Sequence, residues 1–254
     1  MRMWTGMAGW LAGLALGVAF PATAAELKVL TAGAFKPVLQ ALQPEFEQRT
    51  GHRLQIENDT AGALLQRILN GERFDLVVLT PAALEQLDKA GKTAPGSAVT
   101  LAKVGIGVAV RRGSPKPDIA DLAGLRRALI AARAVAYIDP AAGGSSGIYL
   151  NGLFERLALA EQIRPKAVLV PGGLVARRLL TGEADLALHQ ISEILAVPGA
   201  ELVGPLPDEI QHWTVYAGAL PAGLPDATAA QALLSTLGGS AAREVLAGKG
   251  MTPP

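Results

Sequence analysis

The 254-residue chain is almost electroneutral, with 23 Lys and Arg against 22 Asp and Glu. No basic run is interleaved with aromatic residues, which argues against nucleic acid or an acidic membrane surface as a partner. Aromatic residues make up only 4% of the chain and cysteine is absent, so base or sugar stacking, disulfides, thiolate chemistry and cysteine-linked lipid are excluded as main themes.

Arg2, an apolar run from Met7 to Phe20 and the small residues Ala22 and Ala24 before the charged Glu26 read as a secretory signal peptide over residues 1–25. The expected cut lies near Ala24 or Ala25 and delivers the chain to the periplasm. No later stretch is apolar enough to cross a bilayer. What remains is long enough for one large or two small domains.

From Glu26 onward, short apolar runs alternate with helical periodicity, the pattern of an α/β protein with a mostly parallel sheet. Strands are expected at Leu27 to Thr31, Leu54 to Glu57 and Phe74 to Leu79. Helices are expected at Pro37 to Thr50, Gly62 to Leu69 and Ala82 to Ala90. The long strand Ala102 to Val110 leads into the polar, Pro-rich passage Arg111 to Pro117, read as a crossing into a second lobe.

There the alternation restarts with helix Ile119 to Ala132, strand Ala134 to Ile138, helix Gly147 to Leu157, strand Ala167 to Val170, helix Leu174 to Leu180 and strand Asp185 to His189. The run Trp213 to Leu220, with Trp213 and Tyr216 expected in the core, carries the chain back. Helices near Asp226 to Leu237 and Ala241 to Ala247 close the first lobe. The expected division is therefore 26–108 plus 213–254 for one lobe and 109–212 for the other, with a cleft between them.

Three strand-to-helix junctions carry small residues: Thr31 to Pro37, Asn58 to Leu64 and Asp139 to Tyr149. Such junctions aim unpaired backbone N–H groups and the positive end of a helix dipole at whatever occupies the turn. They point to an anion held by backbone rather than to catalysis by side chains. Clefts at the carboxyl ends of strands are where open α/β folds bind ligands.

The opening Leu27-Lys28-Val29-Leu30-Thr31-Ala32-Gly33-Ala34, the segment Arg67 to Leu76, Ser146-Gly147-Ile148-Tyr149 and Gly182-Glu183-Ala184-Asp185-Leu186-Ala187 come in a telling order. In this the chain resembles the type II periplasmic solute-binding proteins of ABC importers, most closely the molybdate/tungstate-binding group. The resemblance implies two mixed sheets with flanking helices and a two-strand hinge. It also implies a monomer that captures a small oxyanion and passes it to an inner-membrane permease, with no cofactor and no enzymatic activity.

Carried over position by position, the implied pocket takes Thr31, Gly33 and Ala34 from the first loop and Thr60, Ala61, Gly62 and Ala63 from the second. Ser145, Ser146 and Gly147 come from the third, Gly172 and Gly173 from the fourth, and Gln190 from the last. Three positions depart from a molybdate binder: Ala34 and the Thr60-Ala61-Gly62-Ala63 run stand where serines are expected, and Gln190 where a tyrosine is.

Each hydroxyl lost from a desolvated pocket costs about 1 to 3 kcal/mol. The alanines leave room for a larger ligand, so a small organic carboxylate, transported or sensed, is the alternative. Arg67 and Arg177 are candidate counter-charges for it.

A secreted serine hydrolase would need Ser145 or Ser146 with His189 and Asp139, but no G-x-S-x-G elbow precedes the helix. His52, His189 and His212 lack metal-ligand spacing, and no Walker loop is present.

Overall fold

The computed structural model describes residues 24–254. The expected signal peptide lies outside the described residues except for Ala24 and Ala25. The chain is α/β, with strands and helices alternating along most of its length.

Strands β1 (Glu26–Ala32), β2 (Arg53–Asp59) and β3 (Leu76–Leu79) are parallel, with β1 in the middle. Helices α1 (Lys36–Thr50), α2 (Ala61–Leu69) and α3 (Pro81–Lys89) follow them. All four residues of β3 are buried, as expected of a strand covered on both faces. Helix α1 buries Val38, Leu39, Leu42 and Phe46 and stops at Gly51, whose φ of 74° only glycine adopts freely.

The long strand β4 (Val99–Arg111) is followed by α4 (Leu122–Ala131), β5 (Val135–Ile138), α5 (Ser145–Arg156), α6 (Ala160–Ile163), β6 (Ala167–Val170), α7 (Arg177–Leu180), β7 (Leu186–Gln190) and α8 (Ile191–Leu195). Strands β8 (Ala200–Pro205) and β9 (Trp213–Ala219) and helices α9 (Thr228–Gly238) and α10 (Ser240–Gly248) complete the chain. Strand order is β2-β1-β3-β9-β4-β7-β5-β6, with β8 on β4.

Strand β4 joins the two halves of this sheet. Its first part pairs with β9, and from Ile106 onward it pairs with β7 and β8, all antiparallel. The cores divide in the same place. One draws on residues between 27 and 104 and between 216 and 251, and the other two on residues between 106 and 206.

Several expected boundaries shift for local reasons. Helix α4 starts at Leu122 because the Asp121 carboxylate accepts from the Gly124 N–H at 2.7 Å. The expected helix from Leu174 shrinks to α7. Helix α5 starts at Ser145, which moves both serines from the loop into the first turn. Elements α6, α8 and β8 were not expected: α6 and α8 are too short to show helical periodicity. Trp213 is not a core residue; 47% of it is exposed, whereas Tyr216 is buried.

Candidate functional site

The carboxyl ends of β1, β2, β5 and β7 open toward one another, each leading directly or through a short turn into a helix. Beyond β1, Gly33 opens a 3-10 turn in which Gly33 and Ala34 line a pocket. A Cβ at Gly33 would lie 2.5 Å from the Glu193 Oε1, so glycine is what lets that carboxyl in. Thr31 stands apart from this lining. It is fully buried and its hydroxyl donates to the Ala32 carbonyl at 3.1 Å.

After β2, Thr60 caps α2, its Oγ1 accepting from the Ala63 N–H at 3.1 Å. The same hydroxyl donates to the Ala142 carbonyl beyond β5, and the Gly62 N–H donates to the Gly143 carbonyl at 3.1 Å. These bonds tie the second and third loops together. A Cβ at Gly62 would come within 2.8 Å of the Gly143 Cα. Thr60 and Ala61 line the pocket; Gly62 and Ala63 serve the contact and the cap instead.

In the third loop Gly144, Ser145 and Ser146 line the pocket. Gly147 is packed against the end of β5, where a Cβ would sit 2.2 Å from the Ile138 carbonyl oxygen. Gly173 lines the pocket with φ of 79°; Gly172 lies behind it, near Asp59. Gln190 is 1% exposed. Its Nε2 donates to Thr214 Oγ1 at 2.8 Å and Ser145 Oγ at 3.3 Å, while its buried Oε1 has no partner.

The proposed counter-charges are elsewhere. Arg67 is held by Glu72 and Glu57, with Nε and Nη2 at 2.5 and 2.7 Å from their carboxylates, and both interactions raise its pKa. Arg177 is exposed at the start of α7. No lysine or arginine lines the pocket among the described residues. Lys36 faces Asn58, donating to its Oδ1 at 2.7 Å.

Five lining residues with polar side chains lie outside the expected set: Asn58, Asp59, His189, Glu193 and Tyr216. His189 is the penultimate residue of β7 and Glu193 sits four residues later on α8, so the short helix folds the carboxylate back over the imidazole. Their Nε2 and Oε2 are 3.2 Å apart, with side chains 2% and 8% exposed. Burial pushes the Glu193 carboxyl up to about 8 and the His189 imidazole down to about 3. Both directions favour neutral forms. Burial, and then the neighbouring Glu193 charge, also push the Tyr216 phenol up.

Glu193 corrects the expectation of spare room. The space left by Ala34 and Ala61 is partly filled by its carboxyl. The volume open to a water's centre is about 30 Å3, enough for about two waters. An anion of more than a few atoms therefore enters only when the loops separate. The serine hydrolase arrangement is not assembled: Asp139 accepts from the Ala141 N–H at 2.9 Å, and Glu193 rather than Asp139 faces His189. In the sequence, Ile191-Ser192-Glu193-Ile194-Leu195 has the pattern of an ordinary amphipathic turn, which hides its acid.

Among solved structures, the chain is similar to the Azotobacter vinelandii periplasmic molybdate-binding protein. The TM-score is 0.75 at 24% identity, over 90% of this chain and 99% of that one. Among curated proteins it is 36% identical to an aconitate isomerase of a Pseudomonas species, over 96% of this chain and 93% of that protein. It is 29% identical to the molybdate-binding protein ModA of Azotobacter vinelandii over 90% of each. The family model for bacterial extracellular solute-binding proteins matches residues 27–252. The chain belongs to the bacterial extracellular solute-binding proteins, with the type II fold of the periplasmic molybdate-binding group.

Proposed function

We propose that this chain captures a small organic polycarboxylate, of which aconitate is the leading candidate, in a cleft between two lobes. The lobes are 26–108 plus 213–254 and 109–212, and they rotate about β4 and the strand paired with it. The observation that carries this reading is the Glu193 carboxyl inside a pocket lined by loop N–H groups and hydroxyls.

In a molybdate binder, hydroxyls complete the cage around a permanently charged dianion. Here Ala34 and Ala61 remove two of them, and a carboxyl takes their place. Held neutral by burial, that carboxyl is an O–H donor, a role protonated acids fill in apolar sites. A carboxylate ligand matches such a donor in proton affinity. The Ser145 and Ser146 hydroxyls, the Asn58 amide and the first N–H groups of α5 supply the remaining donors.

The chain acts in the periplasm after removal of residues 1–25, as a monomer, and delivers its ligand to an inner-membrane ABC permease. The relative named as an aconitate isomerase favours a second reading, in which the bound anion is also converted. No helix among the described residues is long and apolar enough to cross a membrane.

The test is titration calorimetry of the mature chain with cis- and trans-aconitate, citrate, molybdate, tungstate and sulfate at pH 7. Binding of the tricarboxylates and not of the tetrahedral oxyanions is the expected result. Tight molybdate binding with no carboxylate response would overturn the reading.

A further inference from the structure

We infer that Glu193 is a catalytic proton carrier and that His189 is its positioning and proton-holding partner, so that the pocket moves a proton between two carbons of a bound β,γ-unsaturated polycarboxylate. This rests on the carboxylate-binding reading above. The observations behind it are geometric. Glu193 lines the pocket, its Oε1 reaching toward Gly33 and its Oε2 lying 3.2 Å from His189 Nε2. A binding site for an anion gains nothing from a second buried acid–base group. The His189 Nδ1 is also buried and unpartnered, so the contact that Nε2 makes with Glu193 is the polar contact that holds the imidazole.

Other ionisable groups facing this pair are already committed. Asp59, at the end of β2, accepts from the Thr60 N–H at 2.8 Å and lies 3.8 Å from the Arg67 guanidinium. Tyr216 on β9 stays protonated, and Lys36 on α1 is bonded to Asn58. Among the described residues, Glu193 and His189 form the acid–base pair within the pocket, 3.2 Å apart.

The step balances without any co-reactant. The pair starts with one proton on Glu193, which passes to His189 Nε2 and leaves a carboxylate. That carboxylate takes a proton from the ligand methylene next to the double bond. The C–H bond breaks, and its electron pair spreads over the three-carbon system and its carboxylates. Glu193 returns the proton to the far carbon, the double bond moves along by one carbon, and His189 gives its proton back. The pair becomes cationic at the moment the ligand gains a negative charge, which supplies the counter-charge in a pocket without lysine or arginine.

The experiment follows trans-aconitate by proton NMR with the wild-type mature chain, in water and in deuterium oxide, alongside E193Q and H189N, with affinities measured in parallel. The expected result is conversion to the cis isomer by wild type. E193Q should bind within about tenfold of wild type and convert at least a hundredfold more slowly. H189N should convert slowly with its pH profile displaced, a change that a packing role alone would not produce.

If wild type binds but neither converts the ligand nor exchanges its methylene protons with solvent, the catalytic assignment fails and capture stands. Conversion by E193Q at the wild-type rate also overturns it. If wild type does not bind at all, the carboxylate reading itself falls. Should E193Q not fold, E193D and the wild-type exchange measurement decide the question.

Discussion

His189 Nε2 and Glu193 Oε2 lie 3.2 Å apart with almost no solvent around either, yet both groups are driven toward their neutral forms. The reason is that desolvation acts on each charge separately, and a single contact at this distance does not repay it. The pair is therefore best described as a buried acid beside a buried base, sharing one proton near neutral pH.

The first consequence concerns affinity. Replacing Glu193 with Leu keeps much of its volume but removes the donor, leaving a ligand oxygen unpartnered. The loss should be about 1 to 3 kcal/mol, or roughly 5- to 150-fold in Kd for tricarboxylates, measured by calorimetry. An unchanged Kd would mean that Glu193 does not touch the ligand.

The second concerns pH and stability. An unfolded glutamate loses its proton near 4.5, whereas Glu193 keeps it to about 8. Between those values the folded state holds a proton that the unfolded state lacks, so stability falls as pH rises. His189 acts in the opposite direction. Its pKa is lowered from 6.5 to about 3, and stability falls as pH drops below 6.5. Above pH 6.5 only the Glu193 effect remains, so the melting temperature of wild type should decline from pH 6.5 to 8 while that of E193Q changes less. Parallel curves for the two would sink this account.

Two glycines give a third, contrasting pair. At Gly147 an added Cβ meets the Ile138 carbonyl oxygen at 2.2 Å, a backbone atom rather than the end of a flexible side chain. Gly147→Ala should destabilise by about 1 to 3 kcal/mol, the usual cost of overpacking a well-packed site. At Gly33 the obstacle is the end of the Glu193 side chain, which can swing away. Gly33→Ala should therefore change the melting temperature little and weaken ligand binding through displacement of the carboxyl. Thermal denaturation with calorimetry on both variants tests the contrast.

Much of the architecture was legible in the chain. The alternation of buried strands with amphipathic helices gave the α/β class, and the junctions after Thr31, Asn58 and Asp139 marked the ends of the strands that face the pocket. Gly33, Ala34, Thr60, Ala61, Ser145, Ser146, Gly173 and Gln190 line it. Arg67 is no counter-charge, because Glu57 on β2 and Glu72 in the turn after α2, 10 and 5 residues away, neutralise it once the helix packs beside the strand and the turn folds back.

The sequence alone determined the longer strands and helices, because period and capping are local properties of a few residues. It also marked the small-residue loops after β1, β2 and β5 that line the pocket. Only the tertiary structure decided what fills the pocket. Glu193 gains its buried, neutral character where α8 packs against β4, β7, β8 and the turn after β1, and its entry depends on a missing Cβ at Gly33, 160 positions away. Desolvation depends on every atom packed around a group, and no window along a single strand or helix contains that information.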